Sequence, residues 1–166
     1  PFATGLAFLP TTLVNFASAM AVPKLTRRFG NGPLLASGLA IGVVGLGWLS
    51  RIDASSSYAA AIALPMILIG FGQGLVLGPL TSAGIVDVDA RNAGAASGLV
   101  NVSHQIGSAL GLSVLVAVAG IGSGDLEGTA LLAHRVSIAL TAGTLLLAVA
   151  TALTLGFIAR RPGAAG

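Results

Sequence analysis

The sequence predicts an all-α integral membrane protein, and three observations carry that prediction. Only 8% of the 166 residues are charged while 55% are hydrophobic, against about a quarter charged in a soluble domain. The thirteen charges sit in five short clusters, Lys24–Arg28, Arg51–Asp53, Asp87–Arg91, Asp125–Arg135 and Arg160–Arg161. The charge-free runs 1–23, 29–50, 54–86, 92–124 and 136–159 each reach or exceed the ~20 residues that cross a hydrocarbon core. Disorder is excluded because disordered chains are poor in apolar residues. Barrel strands are excluded because the runs are long, rich in Ala, Leu and Gly, and lack short alternating segments. In lipid each backbone amide must be satisfied locally, and a long apolar run does that as a helix.

Five spans are expected, about 3–22, 34–50, 59–86, 94–119 and 136–159, in one partial bundle covering residues 1–166. In the first, Thr4, Thr11, Asn15 and Ser18 recur at helical spacing. The second carries Gly38 and Gly42 one turn apart, with Gly45 beside them. The third carries Gly70, Gly74 and Gly78 at successive i+4 positions, followed by Pro79, which removes an amide and should bend the helix. Small residues at this spacing let membrane helices approach closely, so these glycines are read as packing positions.

The fourth span places Ser97, Asn101, His104, Ser108 and Gly111 on one face, with Gln105 flanking it and Leu99, Val102, Ile106 and Leu110 opposite. In the fifth, Ser137, Thr141, Thr144 and Thr151 repeat the pattern. Polar stripes on three helices imply a shared interior that is not wholly dry. His104 is the one titratable side chain well inside a span, and intramembrane ionisable groups are functional candidates by default. Asn15, Gln73, Ser97, Asn101, His104 and Gln105 are therefore the substrate-pathway candidates, each weighed against a role in helix packing alone.

Lys and Arg set the orientation. Lys24, Arg27, Arg28, Arg91, Arg160 and Arg161 fall on one side, against Arg51 and Arg135 on the other. That places the C-terminus in the cytoplasm of a multi-pass protein of the cell membrane. The net charge of +3 is thus a topology signal, and no basic face of a soluble fold points to nucleic acid. An odd number of spans opening in an outside loop is expected of a piece of something longer. With no Cys, disulfides and thiolate metal sites are excluded.

No enzyme is expected. Catalytic residues, cofactors and metal ligands are all absent from the reading, since there is no pair of intramembrane carboxylates and no cluster of ligands. Ala95-Ala96-Ser97-Gly98 loosely resembles the serine motif of intramembrane rhomboid proteases, with His104 following. Seven residues of helix separate Ser97 from His104 by roughly 10 Å, and direct proton transfer needs about 3 Å.

The loops and glycines carry a family resemblance. Residues 1–10, with Gly5-Leu6 and Leu9-Pro10, are similar to the "SP-x-x-x-G-L-x-x-L-P" start of a late helix in major facilitator drug:proton antiporters, closest in their fourteen-span EmrB/QacA-type branch. Pro23 to Gly30 resembles that superfamily's cytoplasmic loop motif G-x-L-x-D-R-x-G. Leu25, Arg28 and Gly30 match, while Pro23 replaces the Gly and Arg27 the Asp. Gly70 to Pro79 and Gly94 to Asn101 resemble consecutive late helices, and Asn101 to Gly107 resembles an N-x-x-R/x-Q-x-G run with His104 where Arg is frequent.

The resemblance implies the last five helices of the C-terminal bundle of a major facilitator fold. It implies a proton-coupled multidrug efflux permease working by alternating access, inactive in this portion alone. Its partners would be the lipid bilayer, the missing N-terminal half, protons and an amphipathic small-molecule substrate. A second reading is a non-transporting membrane subunit that associates through its Gly-rich helix faces.

Overall fold

A computed structural model describes residues 2–51, 62–122, 124 and 127–160, with side chains from 9 to 157 within those ranges. Five α-helices make up nearly all of it: α1 (Phe2–Phe29), α2 (Asn31–Leu49), α3 (Leu64–Ile85), α4 (Ala93–Ala119) and α5 (Gly128–Arg160). Among the described residues there is no strand. Among the described residues four stretches are long and apolar enough to cross a membrane: Asn31–Leu49, Leu64–Ile85, Ala90–Ala119 and Gly128–Phe157. The outer surface agrees with that setting. Leu13, Phe16, Leu99, Leu110, Leu145 and Phe157 are all more than 60% exposed, a cost in water that disappears against lipid tails.

Two helices clearly overrun the expected spans. α1 continues through the Lys24–Arg28 cluster to Phe29, and α5 begins at Gly128, eight residues before the expected start at 136. Residues 59–61 of the third expected span lie outside the described residues. A charge cluster marks where a chain leaves lipid, and Lys and Arg are good helix formers, so the helix need not stop there. The break falls instead at Gly30, whose φ of 82° is left-handed and disfavours a side chain. Its amide still bonds back to the Thr26 carbonyl at 2.8 Å.

α3 is the centre of the bundle, packed by α1 on one side and α2 on the other. Next, α5 lies against α2, while α4 bridges α5 and α3. One third of α3 is buried, and none of the apolar stretch containing α4. Pro65 and Pro79 of α3 are fully buried, together with Leu75, and Leu34 of α2 is nearly so. α3 stays helical through Pro79.

Glycine makes the packing possible. A Cβ on Gly70 would lie 2.5 Å from the Thr11 carbonyl oxygen, and one on Gly74 would lie 2.5 Å from that of Asn15. Gly78 follows the same stripe against Val22. On the other face, a Cβ on Gly72 would come 2.6 Å from the Gly38 carbonyl oxygen, and one on Gly38 would come 2.9 Å from that of Gly72. Gly45 packs equally closely on Ile69. At Gly38, Gly70, Gly72 and Gly74 these are contacts with a neighbouring backbone that no larger residue permits, while Gly78 meets the Val22 side chain.

By contrast, a Cβ on Gly94, Gly98, Gly107 or Gly111 of α4 would meet nothing within 4 Å. The two sets predict opposite outcomes. Gly72→Ala should destabilise the chain by about 1–3 kcal/mol through forced separation of α2 and α3. Gly107→Ala should leave stability unchanged or raise it by up to about 1 kcal/mol from helix propensity. Reversible unfolding in mixed micelles checks both, and equal effects would contradict the assignment.

Candidate functional site

The six pathway candidates separate into two places and one outlier. Ser97, Asn101 and His104 line a groove of about 900 Å³ between the C-terminal half of α3 and the N-terminal half of α4. Leu77, Leu80, Thr81 and Gly84 form its α3 wall. The two helices meet at the floor, where Val100 occupies the space that a side chain on Gly84 would need. Ser97, Asn101 and His104 are exposed along this opening, so the groove combines a mostly apolar α3 wall, Thr81 excepted, with the hydrogen-bonding side chains of Ser97, Asn101, Ser103 and His104 on α4.

Asn15 and Gln73 form the second place. They lie 58 positions apart, yet the Asn15 side-chain amide donates to Gln73 Oε1 at 3.1 Å. The bond crosses the α1–α3 contact directly beside Gly74, where the backbones touch. Gln73 also faces a smaller cavity, about 270 Å³, bounded by α2 and by Leu147 of α5. Gln105 belongs to neither place and is exposed on α4.

Most of the stripe hydroxyls turn back onto their own helix, whereas Ser137 donates to the Ser50 carbonyl at 3.4 Å and the buried Thr11 hydroxyl meets no partner among the described residues. Ser18 donates to the Val14 carbonyl, Ser108 to that of His104, Thr141 to Ser137, Thr144 to Leu140 and Thr151 to Leu147, all at 2.7–2.8 Å. Each is satisfied by its own helix, four residues back. They need neither water nor a partner helix. The Thr4 side chain lies outside the described residues.

The motif expected as a cytoplasmic loop is mostly helical. Leu25 and Arg28 stand in the last turns of α1, and only Gly30 forms the break to α2. The Arg28 guanidinium lies over the Phe29 ring, 5.4 Å from its centroid. Among the described residues a turn within a charge cluster lies at 86–92, where Asp87 adopts φ 63° and Asp89 accepts from the Arg91 amide at 3.1 Å. Sequence reasoning missed Gly72 and Gly84. Both are single glycines with no i+4 partner in the packing they make.

Long apolar helices sealed by glycine contacts, with apolar side chains turned outward and amides between helices, define a multi-pass α-helical membrane protein. A sequence model of the Major Facilitator Superfamily matches residues 1–112, and the chain belongs to that superfamily. It is 42% identical over 120 residues to the cephamycin export protein CmcT of Amycolatopsis lactamdurans, covering 72% of this chain and 25% of that protein. It is 32% identical over 118 residues to the puromycin resistance protein pur8 of Streptomyces alboniger, covering 69% and 24%. Multidrug resistance protein Stp of Mycobacterium tuberculosis is also 32% identical over 118 residues, covering 71% and 22%. The chain thus spans about a quarter of the length of these relatives. No solved structure matches it.

The Asn15–Gln73 bond has a measurable consequence. A double-mutant cycle on Asn15→Leu and Gln73→Leu should give a coupling of about 0.6 kcal/mol, the average for interhelical hydrogen bonds in membranes. Additive losses in unfolding free energy would mean the two amides do not interact.

Proposed function

We propose that this chain is the C-terminal part of a proton-coupled multidrug efflux permease. The observation that carries the reading is its similarity to proteins of antibiotic export and resistance, joined to a groove of mixed polarity in the expected helices. Five spans cross the membrane, α1 in addition to the four long apolar stretches, and the C-terminus and the 86–92 turn lie in the cytoplasm. A second bundle, supplied by the N-terminal half of the permease, closes over the exposed face of α4. The two bundles rock about a midplane site and expose it to alternate sides.

Ser97, Asn101 and His104 contact an amphipathic substrate along the groove, and Asn15, Gln73 and Gln105 border its path. Leu25, Arg28 and Gly30 set the angle between α1 and α2 at the cytoplasmic surface. Proton coupling requires a group whose protonation changes during the cycle. The charge-free runs hold no Asp or Glu, so the coupling carboxylates lie in the other part of the permease. This portion alone does not transport.

Three measurements test the reading. Liposomes containing only this chain should show no dye efflux above empty liposomes; efflux would overturn the dependence on a second bundle. In the full permease, His104→Ala should lower drug resistance and change the pH dependence of efflux; an unchanged pH profile would return His104 to packing. The chain has no native Cys, so single substitutions report topology cleanly. Ala90→Cys and Ala164→Cys should react with an impermeant maleimide only after cells are permeabilised, and labelling of intact cells would reverse the orientation.

A further inference from the structure

The two faces of α1 have opposite characters. On one, Thr11, Asn15, Ser18 and Val22 meet the glycine stripe of α3. On the other, Leu13, Phe16 and Met20 are 65%, 65% and 69% exposed. Lys24, Arg27 and Arg28 continue this outer face toward the helix end, and all three are exposed. At about 3.6 residues per turn, the apolar side chains and the cations share a sector of roughly 120°. The rise from Leu13 to Lys24 is about 16 Å, close to the ~15 Å of hydrocarbon in one leaflet.

The protein leaves these cations without a counter-charge of its own. Among the described residues the ion pair within 4.0 Å is Arg91 with Asp89, and no carboxylate comes that near Lys24, Arg27 or Arg28. Arg28 rests over the Phe29 ring, and stacking on an aromatic face keeps the in-plane N–H groups of a guanidinium available to an anion. Topology requires only that Lys and Arg lie on the correct side of the membrane. It does not require them to sit directly below an apolar ridge one leaflet long.

A phospholipid has the same order of chemistry, an apolar chain followed by a phosphate. A zwitterionic headgroup brings a cation that competes with Lys and Arg, whereas a net anionic one does not. We propose that the outer face of α1 binds an anionic phospholipid, its phosphate held by Lys24, Arg27 and Arg28 and its acyl chains lying along Met20, Phe16 and Leu13. The headgroup ties the end of α1 to the membrane surface beside the Gly30 break. The site requires only that α1 spans the membrane and is independent of what the protein transports.

The chain has a single Trp, Trp48, at the far end of α2. Trp48→Phe with Met20→Trp therefore moves the fluorescence reporter to the turn above Lys24. The purified protein is reconstituted into bilayers of phosphatidylcholine and phosphatidylglycerol, with one lipid brominated on its chains at a time, and quenching gives the relative affinity of the two lipids at residue 20. Phosphatidylglycerol should be preferred at least about five-fold, the worth of one cation near an anionic surface. Replacing Lys24, Arg27 and Arg28 together by Gln should bring the ratio to about one. Arg91→Gln removes the same kind of charge from a cation already paired and should leave the ratio unchanged. If the triple variant loses helical circular dichroism, Lys24→Gln alone decides, with an expected fall of about two- to five-fold.

A ratio near one in the reporter protein would overturn the proposal. So would an unchanged ratio in the folded triple variant or, where that variant does not fold, in Lys24→Gln. An equal loss in Arg91→Gln would also overturn it, because the preference would then come from overall charge and not from this face. Both leaflets have the same composition, so neither transport nor orientation is read. Failure of the efflux reading leaves the ratio standing, and a ratio of one leaves the efflux reading intact.

Discussion

Contact between the backbone of α3 and those of α1 and α2 is the constraint on which the rest of the bundle depends. Gly70 and Gly74 admit the Thr11 and Asn15 carbonyls on one side, and Gly72 admits the Gly38 carbonyl on the other. Lipid competes with any apolar side chain for the same contacts, so hydrophobicity alone does not hold membrane helices together. What lipid cannot reproduce is close fit over many atoms. A helix stripped of side chains on two faces reaches that fit twice. The burial of Leu75, Pro65 and Pro79 follows from it, since these residues lie where α3 is enclosed.

The same constraint separates a compact part from an open one. α1, α2 and α3 are joined by glycine contacts, whereas α4 meets its neighbours mainly through side chains such as Val100 against Gly84 and Leu115 against Gly143. The glycines of α4 at 94, 98, 107 and 111 face open space. In α3 equivalent residues are each filled by a neighbouring helix. The chain covers about a quarter of its relatives' length.

Much of this was legible in the sequence, and the limits follow a physical pattern. The charge-free runs gave the helices because charge is excluded from lipid whatever the fold. The stripe at Gly70, Gly74 and Gly78 was legible because its period belongs to one helix. Gly72 was not, because its partners Gly38 and Gly42 lie on α2 and no spacing within α3 marks it. Asn15 and Gln73 could each be singled out as amides in apolar runs, but their pairing is tertiary. Leu25 and Arg28 were read as loop because a charge cluster records the membrane boundary, whereas helix ends are set by backbone conformation, here at Gly30.

Polarity inside an apolar helix therefore divides into two kinds. A Ser or Thr hydroxyl can donate to the carbonyl one turn back, and Ser18, Ser108, Thr141, Thr144 and Thr151 all do. Such a residue leaves the rest of the protein unaware of its polarity. An Asn or Gln amide carries two donors and an acceptor, more than its own helix absorbs, and must find partners elsewhere. Asn15 and Gln73 find each other across the α1–α3 contact. The stripe of hydroxyls that first suggests a wet interior is thus the weaker indicator of function. The stronger one is the amide whose hydrogen bonds its own helix cannot complete.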